Sequence, residues 1–201
     1  MTEYDLPVGV GDIIKERYKI VRIISQGQRG ALFCAVDTQM QQIAIKFEQE
    51  SDEQTAVSVE AAILKILDGQ NHIPQFILYG VHLNCKFLAM ELMGPSLIEL
   101  VNYKRPFKFK LNSILKFGVQ AIEALQVVHN KGIVHRDIKP GNFLIGNSHD
   151  TKGIIKLTDF ELCKKIHKVD GIITKPTNKG CFRGTLISRL CISHIIARIS
   201  S

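Results

Sequence analysis

The stretch His135-Arg136-Asp137-Ile138-Lys139-Pro140-Gly141-Asn142, followed by Thr158-Asp159-Phe160, decides how this chain is read. It gathers imidazole, guanidinium, carboxylate, ammonium and amide groups within eight residues, and Pro140-Gly141 interrupts any regular helix or strand there. The polar side chains therefore sit on irregular backbone and take their geometry from what packs around them. Immediately upstream, residues 111–130 place Ile114, Leu115, Gly118, Ile122, Leu125 and Val128 at helical spacing, closed by Lys131-Gly132, which predicts a long amphipathic helix. Immediately downstream, residues 143–145 and 154–157 read as a short hairpin.

Further out, the first half of the chain is strand-rich. Residues 18–24, 31–36, 41–47, 75–81 and 86–92 read as strands. Residues 53–67 carry Ala56, Val59, Ile63, Leu64 and Leu67 at helical spacing. Gly94-Pro95 breaks the strand pattern. Residues 96–103 read as a short helix, with Ser96 as N-cap and Glu99 completing a capping box. Together these elements predict a β-rich small lobe followed by a helical large lobe.

Three upstream features have chemical content. Gly27 and Gly30 flank a turn between two strands, where backbone N–H groups could approach phosphate oxygens unobstructed; a plain hairpin turn has the same composition. Ile43-Ala44-Ile45-Lys46 is a strand ending on a single charge. Glu60, in the following helix, is a carboxylate able to hold Lys46 against the α- and β-phosphates of a nucleotide. A strand lysine and a helix glutamate are each common, and surface roles are their usual fate.

In this order, the glycine turn, the lysine strand, the helix glutamate, the 135–142 loop and the Asp159 motif resemble the protein kinases. The resemblance covers roughly residues 10–186. Met90 to Leu97, Lys139 to Leu144 and Phe182-Arg183-Gly184-Thr185 resemble the casein kinase I superfamily, and the opening residues 12–18 resemble its tau-tubulin kinase branch.

The resemblance implies a two-lobed α+β fold and a serine/threonine kinase using ATP and Mg²⁺. It implies that Asp137 orients the substrate hydroxyl and that Lys139 neutralises charge on the moving phosphoryl group. Asn142 and Asp159 would be hard oxygen ligands for Mg²⁺. Leu32 and Ala44 from above and Leu144 from below would sandwich adenine, and backbone groups near Glu91 and Met93 would meet its edge. The implied organisation is an N-terminal extension over 1–17, a small lobe over 18–93, a partial large lobe over 94–185 and an aberrant tail over 186–201. The family continues with further helices beyond Thr185, so the large lobe is expected to be truncated.

Local departures accompany this. Ser25 stands where the first loop glycine belongs, and Arg29 where an aromatic residue usually caps the loop. Glu161 replaces the glycine after Asp159-Phe160. A carboxylate there is expected to repel the metal aspartate and to lose the freedom of glycine. These departures leave a second reading open: a catalytically weak, pseudokinase-like fragment that binds nucleotide or partners.

The composition is ordinary for a globular protein, and no apolar run approaches the length of a membrane span. The charge is lopsided. Residues 1–103 carry 8 Lys+Arg against 13 Asp+Glu, and residues 104–201 carry 18 against 6. The basic second half suits an acidic or phosphorylated Ser/Thr protein substrate, and a solvated basic face reads the same way. A nucleic acid is not expected as partner, since no aromatic-basic interleaving accompanies the charge, and no membrane is expected, since no apolar run is long enough to span one. The five cysteines, with no CxxC pair, read as free thiols in a reducing compartment, which predicts an intracellular location, cytoplasmic or nuclear.

Overall fold

Period-two alternation in the first half builds a sheet whose two faces do different work. The computed structural model describes residues 6–27, 30–49, 55–103, 109–166, 168–169 and 172–173. Strands β1 (Ile13–Ile14), β2 (Tyr18–Gln26), β3 (Gly30–Val36), β4 (Gln42–Gln49), β5 (Phe76–His82) and β6 (Cys85–Glu91) form one sheet in the order β1-β2-β3-β4-β6-β5, every pairing antiparallel. Ala31, Phe33 and Ala35 of β3, Ile43, Ile45 and Phe47 of β4, and Phe87 and Ala89 of β6 join one buried cluster. The residues between them point the other way. Cys34, Ala44 and Leu92, with Leu32 and Met90, form a second, smaller cluster. The register sets Leu32 opposite Lys46 and Cys34 opposite Ala44, so one face presents Leu32, Ala44 and Lys46 together.

Helix α1 (Ala56–Ile66) begins at Thr55, whose hydroxyl accepts from the Ser58 N–H at 3.3 Å. The Glu48 carboxylate accepts from the Val57 N–H at 2.8 Å, so the end of β4 holds the first turn of α1. Val57, Ala61 and Leu64 form the buried stripe, and Glu60 shares it.

The remaining elements are β7 (Met93–Ser96), α2 (Leu97–Asn102), α3 (Leu111–Asn130), β8 (Ile133–Val134), β9 (Phe143–Gly146), β10 (Ile155–Leu157), β11 (Lys164–Lys165), β12 (Lys168–Val169) and β13 (Ile172–Ile173). The capping box at α2 is present as the sequence predicts: Ser96 Oγ accepts from the Glu99 N–H, and the Glu99 carboxylate accepts from the Ser96 N–H at 2.7 Å. A third cluster packs Leu64 of α1 and Leu88 of β6 with Ala124 and Val128 of α3, Ile133, Phe143, Ile155, Leu157 and Phe160. This core joins the β-rich small lobe to the helical large lobe, giving a two-lobed α+β fold.

Two local expectations differ from what forms. Gly94-Pro95 does not end strand structure but lies inside β7, which pairs with β9 across a register irregularity. A Cβ on Gly94 would come within 3.0 Å of the Ile145 carbonyl oxygen, so glycine permits the close approach, and Pro95 is exposed at the irregularity, where a missing N–H is tolerated. The second concerns α3. Leu125 and Val128 pack inward with Phe117, Ala121 and Ala124, whereas Ile114, Leu115 and Ile122 are exposed. The helix carries two apolar stripes, and only one meets the core. Among the described residues, no helix is long and apolar enough to cross a membrane. The expected helix start at residues 53–54, Arg29, the segment 182–185 and the tail 186–201 lie outside the described residues.

Candidate functional site

A cleft of about 900 Å³ lies between the sheet and the helical part. Leu32 and Ala44 line it from the sheet, and Leu144, Asn142 and Asp159 line it from the opposite side. At its mouth the Gly27 N–H donates to the Gly30 carbonyl at 2.9 Å, closing the turn between β2 and β3. Gly30 has a packing reason of its own: a Cβ there would lie 2.0 Å from the Phe47 carbonyl oxygen. A Cβ added to Gly27 would meet only the Gly30 carbonyl, at 3.9 Å.

Lys46 and Glu60, brought together from β4 and α1, pair at 2.8 Å. Glu60 is buried, and its other oxygen accepts from the Phe160 N–H at 3.2 Å. The ammonium of Lys46 also contacts the Glu161 carboxylate. Burial works against the charge on Lys46, but the two carboxylates outweigh it and hold its pKa above the ordinary lysine value. Burial raises the pKa of Asp159, and Glu60 and Glu161 push in the same direction, while Lys46 and Lys139 oppose them. The pairing of Glu161 with Lys46 has no local signal in the sequence, because 115 residues separate the two.

The 135–142 loop is fixed from inside. His135 is buried; its Nε2 donates to the Thr158 carbonyl at 2.9 Å, which leaves Nδ1 to accept from the Asp137 N–H at 3.3 Å. Its ring meets Phe160 edge-on, with centroids 5.0 Å apart. The Asn142 amide donates to the Asp137 carbonyl at 2.9 Å and to its carboxylate at 3.3 Å. Lys139 Nζ lies 2.6 Å from the same carboxylate. The Thr158 N–H donates to the Asn142 carbonyl at 2.9 Å, tying the loop to the Asp159 segment. Arg136 (φ 71°) and Asp159 (φ 67°) occupy the left-handed region, a strained conformation that surrounding packing must sustain.

Every residue singled out for nucleotide or metal contact (Gly27, Gly30, Leu32, Ala44, Lys46, Glu60, Glu91, Met93, Leu144, Asn142 and Asp159) lines this one cleft. Asp137 and Lys139 stand beside it, joined through Asn142. At the rear, the Glu91 N–H is taken by the Gln75 carbonyl at 3.0 Å, and the Glu91 side chain bonds Lys156. Met93 opens β7 opposite Gly146 of β9. Among the described residues no three His, Cys, Asp or Glu side chains gather into a self-sufficient metal cage. One amide and one carboxylate on the same cleft wall suit a hard cation that completes its shell with phosphate oxygens and water.

The family profile of the protein kinase domain matches residues 18–181. This chain belongs to the protein kinase domain family. It is also similar to a Dictyostelium discoideum protein described as a probable serine/threonine-protein kinase, at 37% identity over 186 residues, which is 92% of this chain and 38% of that relative. The chain thus spans well under half the length of that relative. In this kinase domain the lysine, the helix glutamate and the residues of the 135–142 loop are far apart in sequence, and the fold gathers them around one opening.

Proposed function

We propose that the chain binds ATP with Mg²⁺ and transfers the γ-phosphoryl group to serine or threonine hydroxyls of a protein. One observation carries the reading: the Lys46–Glu60 pair faces a cleft walled by Leu32, Ala44 and Leu144, and the Asp137–Asn142–Lys139 cluster adjoins the same cleft through Asn142. Apolar walls on opposite sides accept a flat base. Lys46 is the cation for the α- and β-phosphates, and Gly27 and Gly30 line the mouth of the same cleft. Asn142 and Asp159 are the oxygen ligands for Mg²⁺. Bound ATP and Mg²⁺ would supply the phosphoryl group and the charge that neutralises it. Asp137 accepts or orients the proton of the incoming hydroxyl, and Lys139 neutralises charge on the transferred group.

The motifs at residues 90–97 and 139–144 support placement in the casein kinase I superfamily, in a tau-tubulin kinase-like branch. The basic second half supports an acidic or phosphorylated substrate segment, and the cysteine usage supports an intracellular setting. The contact between Glu161 and Lys46 favours a second reading, a nucleotide- or partner-binding domain with weak turnover.

The test is phosphotransfer from labelled ATP to acidic and neutral Ser/Thr peptides, comparing wild type with Asp137→Asn. The reading requires Asp137-dependent labelling, with ATP affinity nearly unchanged in the variant. Nucleotide binding without Asp137-dependent transfer supports the second reading instead.

A further inference from the structure

We propose that Glu161 occupies the position of a nucleotide phosphate on Lys46, so that the cleft discriminates among adenine ligands by their charge. This deepens the nucleotide reading above and rests on it. Lys46 is the cation that reading assigns to phosphate, yet its ammonium already serves two carboxylates. An ammonium has three donors, so at most one direction remains for a ligand.

The two carboxylates are not equivalent. Glu60 is 2% exposed, lies on the buried stripe of α1 and is also held by the Phe160 N–H. Moving it away from Lys46 would leave a buried, uncompensated charge. The Glu161 side chain is 28% exposed and sits on a short 3-10 turn, Phe160–Leu162, at the edge of the cleft. Its carboxylate can turn into water at little cost. Glu161 is therefore the partner that gives way.

Charge count points the same way. Glu60 and Glu161 both pair with the one ammonium, and a third carboxylate, Asp159, lines the same cleft. An uncharged nucleoside enters without disturbing this balance. A triphosphate must compete with Glu161 for Lys46 and then lie near its carboxylate. Glu161 thus lowers affinity for ATP selectively, leaving the base-binding walls unaffected.

The experiment measures dissociation constants of adenosine, ATP and ATP with Mg²⁺ by isothermal titration. It uses the full chain as wild type, Glu161→Gln and Glu161→Ala, each checked for a cooperative thermal melt. Glutamine keeps the shape and removes the charge; alanine removes both. ATP affinity is expected to rise on the order of fivefold or more in both variants, with adenosine affinity unchanged within about twofold. An unchanged ratio of ATP to adenosine affinity overturns the proposal. A loss of affinity for ATP with Mg²⁺ also overturns it, and makes Glu161 a metal ligand. Absence of adenosine and ATP binding in all three proteins removes the nucleotide reading itself, an outcome distinct from bound adenosine with an unchanged ratio.

Discussion

Lys156 Nζ lies 2.6 Å from the Glu91 carboxylate, which joins β10 to the last residue of β6 at the rear of the cleft. Both side chains are largely buried, at 12% and 17% exposure, and Glu91 also accepts from the Gln75 N–H at 3.1 Å. The pair therefore resists screening better than a surface ion pair. Lys156→Met should cost about 1–3 kcal/mol, between the values for exposed and fully buried pairs. Glu91→Gln should cost less, because its amide oxygen can still accept from Gln75. Urea denaturation of the two variants and their double mutant gives the coupling directly. A coupling near zero would show that the pair contributes nothing to joining the two parts.

Two glycine-to-alanine changes should have opposite signs. At Gly30 the new Cβ would lie 2.0 Å from the Phe47 carbonyl oxygen, a backbone atom, so β3 and β4 must separate. Gly30→Ala should destabilise by about 2 kcal/mol or more and widen the turn at the cleft mouth. Gly118 lies on the exposed face of α3, and a Cβ added there would meet nothing within 4 Å. Gly118→Ala should stabilise by about 0.5–1 kcal/mol, through helix propensity alone. Melting temperatures of the two variants check both signs, and a stabilised Gly30→Ala would contradict the close approach.

The part of the fold that period-two alternation governs is readable directly. Leu32, Ala44 and Lys46 share a face because β3 and β4 alternate without interruption. The capping box at Ser96 and the full extent of α3 are equally local signals. What escapes a reading of the sequence is set by distant contacts. Strand β7 needs Ile145 opposite Gly94 to become visible, and a single sequence gives no sign of that approach. The exposed stripe of α3 is as apolar as the packed one, so spacing alone does not say which faces the core. The two-residue strands β8 and β11 are too short to carry a period. Within the site, motif order singles out the residues that line one cleft. The attachment of Glu161 to Lys46 depends on a turn whose direction no local pattern encodes.

Cys163 follows the Phe160–Leu162 turn and is half-buried against the core. Burial pushes its thiol up to about 12, helped by the nearby Glu60 and Asp159 carboxylates and opposed by Arg136. The reactive species is the thiolate, so at pH 8 the folded protein should alkylate there far more slowly than the unfolded chain, on the order of a thousandfold. Iodoacetamide labelling with mass spectrometry of the Cys163 peptide, native against urea-unfolded, measures this. Comparable rates in the two states would mean that the thiol is not shielded.

His135 should make the stability of the fold depend on pH. The ring is 1% exposed and sits in the loop core, donating from Nε2 to the Thr158 carbonyl and accepting at Nδ1 from the Asp137 N–H. A second proton would have to go on Nδ1, where it would face that N–H. Burial lowers the pKa from its ordinary value of 6.5, with Lys139 adding to the effect; the Thr158 carbonyl and the Asp159 and Asp137 carboxylates oppose it without overcoming it. The folded state thus binds this proton less readily than the unfolded state. The sign follows from linkage: the contribution is complete above the unfolded value of 6.5 and is lost as pH falls below it. The loss approaches about 1.4 kcal/mol per pH unit until the folded group itself titrates. His135→Gln cannot take up the proton, although it loses the edge-on contact with Phe160 and should start from a lower stability. Chemical denaturation at pH 7.5, 6.5 and 5.5 should give a steeper decline for wild type than for the variant. Parallel pH profiles would show that His135 titrates alike in both states, and the neutral, doubly bonded ring described for the loop would then be wrong.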